Sequence, residues 1–543
     1  MTTNAISTFA DAEAHLASKL PGYQSRLPQQ IGAEAVEKAF ATNTHAIIQA
    51  GCGVGKSFMS LIPAILSGER TVVATATKAL QSQLIEKDLP FLQENLGVSF
   101  TWAMLQGRSN YFCTQRAQVV AGEEPLVARM LSEASEADFE GLRSSFSFEI
   151  PHALWSKVRG DTDECSDLGC REPGSGCYAY VARRKAADVG LVVVNHSILC
   201  MDLMLQDEAG FGMLGDYSNV VIDEVHNLEN YAKSALGWEF SQGAILGAMA
   251  ELRNFAQREF DDDRSKAILD AVSSVNTAQN FLWMAFEALM EDNSNTLRIK
   301  TNVIVESQAE WEALAKILWG LSRMIDGMGD PTESKPAKRW RIIKSRVRKL
   351  AARFSSLILD PQDKTCRWLT VKTNNRRERQ IVIASEPLFV DEFLSDKLFS
   401  NYTVVMCSAT AKVGGSFDFL AKKLGLANHV FDGVDVGTMF DFPSQGRFFA
   451  PRNFPEPTGR TKTQWEAVAP NAMLELVRAS GGGALLLFTS IAAMKRAYEV
   501  IAPQVPWNCY MQGQMEVPVL AQTFKDDHDS ILFATRSFME GID

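Results

Sequence analysis

The octet Ala50-Gly51-Cys52-Gly53-Val54-Gly55-Lys56-Ser57 narrows the fold more than any other feature of this chain. It follows the short apolar run His45–Ala50 and leads into a helix-patterned stretch from Phe58. A glycine-rich turn between strand and helix aims successive backbone N–H groups, and the positive end of the helix, at one point. Phosphate is the ligand such a point suits: Lys56 reaches the β and γ oxygens and Ser57 ligates Mg²⁺. Gly51, Gly53, Gly55, Lys56 and Ser57 are therefore the predicted residues for ATP and Mg²⁺. A chance glycine-rich turn is a poor rival, because the flanking patterns occur in the required order.

Phosphate chemistry also needs carboxylates, and Asp223-Glu224-Val225-His226 ends the apolar run 220–222. Asp223 is placed to hold Mg²⁺ through its water shell and Glu224 to position or activate the attacking water. Lys56, Asp223, Glu224 and His226 form the candidate catalytic set. An isolated acidic pair is usually a solvated turn; its pairing with a phosphate loop reverses that reading.

Short β-rich runs at 45–50, 71–76, 191–194, 219–222 and 403–407 each precede a helical pattern, and 484–488 and 530–534 repeat this after Gly481-Gly482-Gly483. The alternation predicts an α/β fold with parallel sheets in two units. Two stretches interrupt the first unit: a Cys/Gly-rich one near 107–178 and one near 235–380 with helical patterning. The 543 residues allow three to five cores at roughly 100–200 residues each. No apolar stretch approaches a membrane span, and the start lacks the basic end and apolar run of a signal peptide. A soluble, cytoplasmic protein with no membrane partner is expected, in a reducing compartment where clustered cysteines point to metal before disulfides. The net charge of −11 averages over any local basic groove and excludes none.

These motifs, with Ser408-Ala409-Thr410 after the 403–407 run, resemble the superfamily 2 helicases, and the insertions resemble the XPD/DinG branch. Arg26-Leu27-Pro28-Gln29, Lys78-Ala79-Leu80-Gln81-Ser82-Gln83-Leu84 and Val194-Asn195-His196 strengthen the DinG likeness, which covers essentially the whole chain. The resemblance implies two RecA-like P-loop motor domains, with an iron–sulfur insertion and a helical arch insertion in the first. It divides the chain into motor domain 1 (1–106, 181–235 and 381–425), the iron–sulfur insertion (107–180), the arch (236–380) and motor domain 2 (426–543). It further implies that Gln29 contacts adenine, that Ser408, Ala409 and Thr410 couple hydrolysis to domain motion, and that Lys78 and Gln81 lie along DNA.

Cys113, Cys165, Cys170 and Cys177 are separated by 51, 4 and 6 residues. That spacing leaves an iron–sulfur cluster and zinc level; the resemblance implies [4Fe–4S]. The isolated Cys200, Cys366, Cys407 and Cys509 read as packing residues, and Cys52 as a small residue filling the phosphate loop.

Residues 335–353 hold nine basic side chains, no acidic one, and Trp340 among them. A stripe tracking phosphates with a stacking aromatic, and a solvated helix face, fit this pattern equally; because the arch falls here, the resemblance leans toward DNA and makes Arg339 and Arg346 candidate contacts. Arg183, Arg184 and Asn195 join them, since a strand entering the motor would pass the cysteine insertion.

Ser537-Phe538-Met539-Glu540-Gly541-Ile542-Asp543 resembles the segment that links DNA to ATP, making Glu540 and Gly541 coupling candidates. The family's following Gln-x-x-Gly-Arg helix is not found, so the second motor domain is expected to be incomplete, with a missing C-terminal segment or partner chain completing the ATP site. The expected function is ATP-dependent translocation on single-stranded DNA, 5′ to 3′ by resemblance, unwinding forks, displacement loops or RNA–DNA hybrids. The rival is a nucleic-acid-binding accessory protein whose ATP site is a switch or silent. A nuclease fits less well, since too few residues precede Arg26 for an exonuclease domain.

Overall fold

Val72 to Ala74, Val192 to Val194, Val220 to Ile222 and Val404 to Met406 are all buried. Such uniformly apolar, β-branched runs suit the middle of a parallel sheet with helices on both faces. The computed structural model describes residues 6–538 apart from 77, 123, 137, 161–175, 210–211, 291–295, 300–307, 332–333, 360–363, 374–378, 453, 516 and 536–537. The runs form a seven-stranded sheet in the order Phe431–Gly437, His45–Ala50, Thr403–Ser408, Asn219–Asp223, Thr71–Thr75, Leu191–Asn195, Trp102–Met104. Every pairing in it is parallel.

Side chains alternate between the faces of a strand. Val72, Val192, Val194, Val220 and Ile222 accordingly pack with Leu199, Leu203, Leu228 and Ala232 of helices His196–Ala209 and Leu228–Leu236. Val73, Val193, Val221 and Val405 face Val36, Ala39, Met59 and Ile62 of helices Leu27–Thr42 and Lys56–Leu66. The C-terminal strand ends thus open on one edge, where open α/β sheets bind ligands.

A second parallel sheet, in the order Ala484–Leu487, Ile531–Ala534, Cys509–Met511, packs against helices Lys462–Ser480 and Ile491–Ile501. The resemblance places the change of unit at 425; Phe431–Gly437 pairs with His45–Ala50 and extends the first sheet past that point. The pairing of Cys509–Met511 with Ile531–Ala534 was likewise not expected.

Between Trp102–Met104 and Leu191–Asn195 lies a small helical unit with its own core of Phe112, Val127, Met130, Phe146 and Trp155. The later interruption is not purely helical. Helices Gln242–Glu259, Asp262–Met290, Gln308–Asp326 and Ser334–Leu359 share a core with an antiparallel sheet in the order Trp238–Ser241, Arg379–Pro387, Thr365–Thr373, Thr296–Arg298. The Arg379–Pro387 strand runs across the expected boundary at 380. Among the described residues no helix is long and apolar enough to cross a membrane.

Candidate nucleotide-hydrolysis site

The Thr403–Ser408 strand lies between the strands that end in the phosphate loop and in Asp223. Three predicted segments therefore leave the same sheet edge as neighbours. Gly53 and Gly55 have φ of 76° and 88°, values that favour glycine and let the loop curl back before the helix. Gln29 donates to the Gly55 carbonyl at 2.9 Å, and Arg26 to that of Gly53 at 2.7 Å. Gln29 thus braces the phosphate loop; Arg26, to which sequence reasoning gave no role, does the same one turn earlier.

The Lys56 ammonium donates to Glu224 Oε1 at 2.6 Å. Glu224 reaches it because its backbone is left-handed, with φ of 52°, a conformation costly for a side chain larger than glycine's. Hydrogen bonds hold the strained turn on both sides: His196 Nε2 lies 2.8 Å from the Asp223 carbonyl, and the Asn227 N–H donates to the Glu224 carbonyl at 3.0 Å. His196, whose ring meets Tyr231 edge-on, was visible in sequence only as part of the Val194-Asn195-His196 segment.

On the other side of Glu224, His226 Nδ1 and Ser408 Oγ share a hydrogen bond of 2.9 Å. Ser408 Oγ stands 3.5 Å from Glu224 Oε2 and accepts from the Thr410 N–H at 3.1 Å. Lys56, Glu224, His226, Ser408 and Thr410 are therefore joined contact by contact, with Ala409 in the turn between.

Burial opposes the Lys56 charge, but Asp223 and Glu224 more than offset it and its pKa is raised. Burial dominates at Asp223, whose pKa is pushed up to about 6. Asp223 Oδ1 is buried with no hydrogen-bond partner among the described residues. An orphaned carboxylate oxygen beside a phosphate loop fits a role in the shell of Mg²⁺, with half-buried Ser57 as the hydroxyl partner.

A carboxyl whose folded pKa exceeds its unfolded value costs the fold stability once ionised, and the cost shrinks as pH falls through the folded pKa. In the absence of Mg²⁺, the Asp223→Asn variant should therefore melt higher than the parent at pH 8, with the gap closing below about pH 6. Thermal melts at both pH values check this; a lower melting point for the variant at pH 8 would contradict it.

Cys113 and Cys177 lie at one end of the cysteine insertion. The Phe112 N–H donates to the Gly141 carbonyl at 2.7 Å, and the Tyr178 side chain covers the same glycine. Chain segment 161–175 departs from Gly160, which bonds Tyr111, and returns at Gly176 beside Cys177. Cys165 and Cys170 lie outside the described residues, as do Glu540 and Gly541. Two half-buried thiols held close to both ends of a segment carrying two more are a donor set that fits a [4Fe–4S] cluster.

The expected DNA contacts fare unevenly. Trp340 is fully buried, stacked on Phe255 at 5.3 Å and edge-on to Phe260, so it packs the core of the 242–359 helices and is no stacking platform. Its helix turns Ile343, Val347, Leu350 and Phe354 inward and sends basic residues to acidic neighbours. Arg339 and Arg346 both meet Glu251, while Arg341 and Lys344 meet Asp330. Gln81 is also fully buried, so its side chain is enclosed here and not offered to a strand; its helix Lys78–Gln83 packs on the Thr71–Thr75 and Leu191–Asn195 strands. Asn195 Oδ1 caps the following helix by accepting from the Ile198 N–H at 2.9 Å. Arg183 donates to the Gly212 carbonyl at 3.2 Å, and Arg184 is exposed.

Comparison with known proteins agrees with this geometry. Residues 473–543 match the family model described as a helicase C-terminal domain. The ATP-dependent DNA helicase YoaA of Haemophilus influenzae is 26% identical over 99% of this chain and 83% of its own length. The ATP-dependent helicase DinG of Mycobacterium tuberculosis is 28% identical over 96% of this chain and 80% of its own. The 3′-5′ exonuclease DinG of Bacillus subtilis is 24% identical over 98% of this chain but 62% of its own length. Over nearly its full length the chain is therefore similar to the ATP-dependent helicases DinG and YoaA.

Proposed function

We propose that this chain hydrolyses ATP to move along single-stranded DNA and separate duplexes, including forks, displacement loops and RNA–DNA hybrids, with 5′-to-3′ polarity. The observation that carries the reading is the run of contacts from Lys56 through Glu224 to His226, Ser408 and Thr410. It supports the reading by joining in one cluster the residues proposed to bind phosphate, activate water and couple hydrolysis to motion.

In this reading the phosphate-loop amides and Lys56 hold the β and γ phosphates, with Gln29 and Arg26 fixing the loop from behind. Asp223 and Ser57 would hold Mg²⁺, which when bound would supply positive charge to the phosphate oxygens. Once phosphate draws Lys56 away, Glu224 is released to accept a proton from the attacking water. His226 and Ser408 sense that change through Glu224 Oε2 and pass it to the second α/β unit. Cys113, Cys165, Cys170 and Cys177 would hold a [4Fe–4S] cluster that stiffens the cysteine insertion as a wedge, and Lys78, Arg183 and Arg184 are the candidate contacts to the strand.

The test is steady-state ATP hydrolysis by anaerobically purified protein with and without single-stranded DNA. Stimulation by DNA supports the reading. ATP binding with no turnover under either condition would favour the rival, a nucleic-acid-binding switch.

A further inference from the structure

Beyond Thr410 the chain continues to Lys412, whose backbone N–H donates to Gln49 Oε1 at 2.8 Å on the strand that carries the phosphate loop. The other end of the Gln49 amide lies 3.3 Å from Asp435 Oδ2, and Lys412 Nζ stands 3.0 Å from the same oxygen. Asp435 belongs to the edge strand Phe431–Gly437, the last strand of the first sheet before the chain leaves for the second unit. Its other oxygen accepts from the Gly437 N–H at 3.0 Å, and the Gly437 carbonyl accepts from the Gly51 N–H at 2.9 Å.

The exit segment then lies on the phosphate loop itself. The Thr438 side chain abuts Gly51, and the Phe440 ring meets Gly53 so closely that an added Cβ would stand 3.1 Å from it. Residues 438–449 are largely exposed, with Phe442, Phe448 and Phe449 turned to solvent. Three elements meet at Lys412 and Asp435: the strand leading into the phosphate loop, the chain that follows the Ser408–Thr410 turn, and the exit segment. Both side chains are partly solvated, at 25% and 35% exposure, where an ion pair contributes little to stability. Its position, more than its strength, calls for explanation.

We propose that Lys412 and Asp435 are positioning residues that steer the exit segment, so that a change at the phosphate loop becomes a change in the direction of the chain entering the second unit. The inference rests on the helicase reading above, since it supplies the output that ATP turnover there requires. Neither side chain touches the phosphate-binding groups, so their loss uncouples motion from hydrolysis while leaving hydrolysis in place.

The test compares the parent with Asp435→Asn, Lys412→Met and Lys412→Arg. Two readouts are taken: base pairs separated per ATP consumed on a forked duplex, and the rate of tryptic cleavage at exposed Arg447 and Arg452 with and without a non-hydrolysable ATP analogue and Mg²⁺. In Asp435→Asn and Lys412→Met, ATP hydrolysis without DNA should stay within about threefold of the parent, while base pairs separated per ATP fall about tenfold. The analogue should change the cleavage rate in the parent and in Lys412→Arg but not in the other two. Unchanged separation per ATP, or a nucleotide response retained in Asp435→Asn, overturns the proposal. Absence of a response in the parent overturns it equally. A response in the parent with no DNA-stimulated hydrolysis would instead refute the helicase reading and leave the steering role standing.

Discussion

Replacing Lys56 with Ala should lower the turnover number for ATP by at least about 10²–10³, the scale on which a single preorganised electrostatic donor acts. Lys56 is held within hydrogen-bond distance of Glu224 Oε1, and although burial opposes its charge, its pKa is raised because Asp223 and Glu224 outweigh that cost. Removing it takes the charge away from the transferring phosphate. It also leaves two largely buried carboxylates side by side without the lysine charge, a situation that is normally relieved by proton uptake. The variant should therefore lose turnover, bind ATP more weakly and retain its fold by circular dichroism. Turnover within threefold of the parent would mean that the phosphates are held elsewhere.

The second large effect is expected at Glu224. Glu224→Gln keeps the size of the side chain and an oxygen for Lys56, yet it cannot take a proton from water. Loss of a positioned general base costs about 10²–10⁴ in rate, so turnover should collapse while ATP binding persists, the reverse of the Lys56→Ala pattern in affinity. The left-handed backbone at Glu224 makes the choice of substitution important. Bulky or β-branched residues would add strain at φ of 52° and confound catalysis with folding. Equilibrium binding of a fluorescent ATP analogue beside single-turnover hydrolysis separates the two; equal losses in binding and turnover would remove Glu224 from the water-activating role.

Much of the motor was legible because its central strands are buried on both faces and must be apolar throughout. The edges were not legible for the converse reason. Phe431–Gly437 contains two aspartates and two glycines, poor strand formers, and is extended because it pairs with His45–Ala50. The antiparallel sheet that shares a core with the 242–359 helices escaped notice because long helical patterns dominate the surrounding sequence.

At the site, local motifs identified Lys56, Asp223, Glu224 and Ser408, since the spacing of a loop, a strand and a helix fixes their geometry. What came from contacts distant in sequence was invisible: the bracing by Arg26, the support of Asp223 by His196, and the Gln49–Lys412–Asp435 junction. Trp340 and Gln81 illustrate the opposite error. Charge interleaved with an aromatic, or a polar residue in a DNA-facing motif, gives no information on which side of a helix is buried, and both side chains proved fully enclosed.

The central claim is that this cluster spends ATP in response to a DNA strand. The most direct measurement is the rate of ATP hydrolysis by the anaerobically purified protein across a titration of single-stranded DNA, with Lys56→Ala as the background. The account predicts a rate that rises and saturates with DNA in the parent and stays flat in the variant. A rate indifferent to DNA, or one that survives the loss of Lys56, would contradict it.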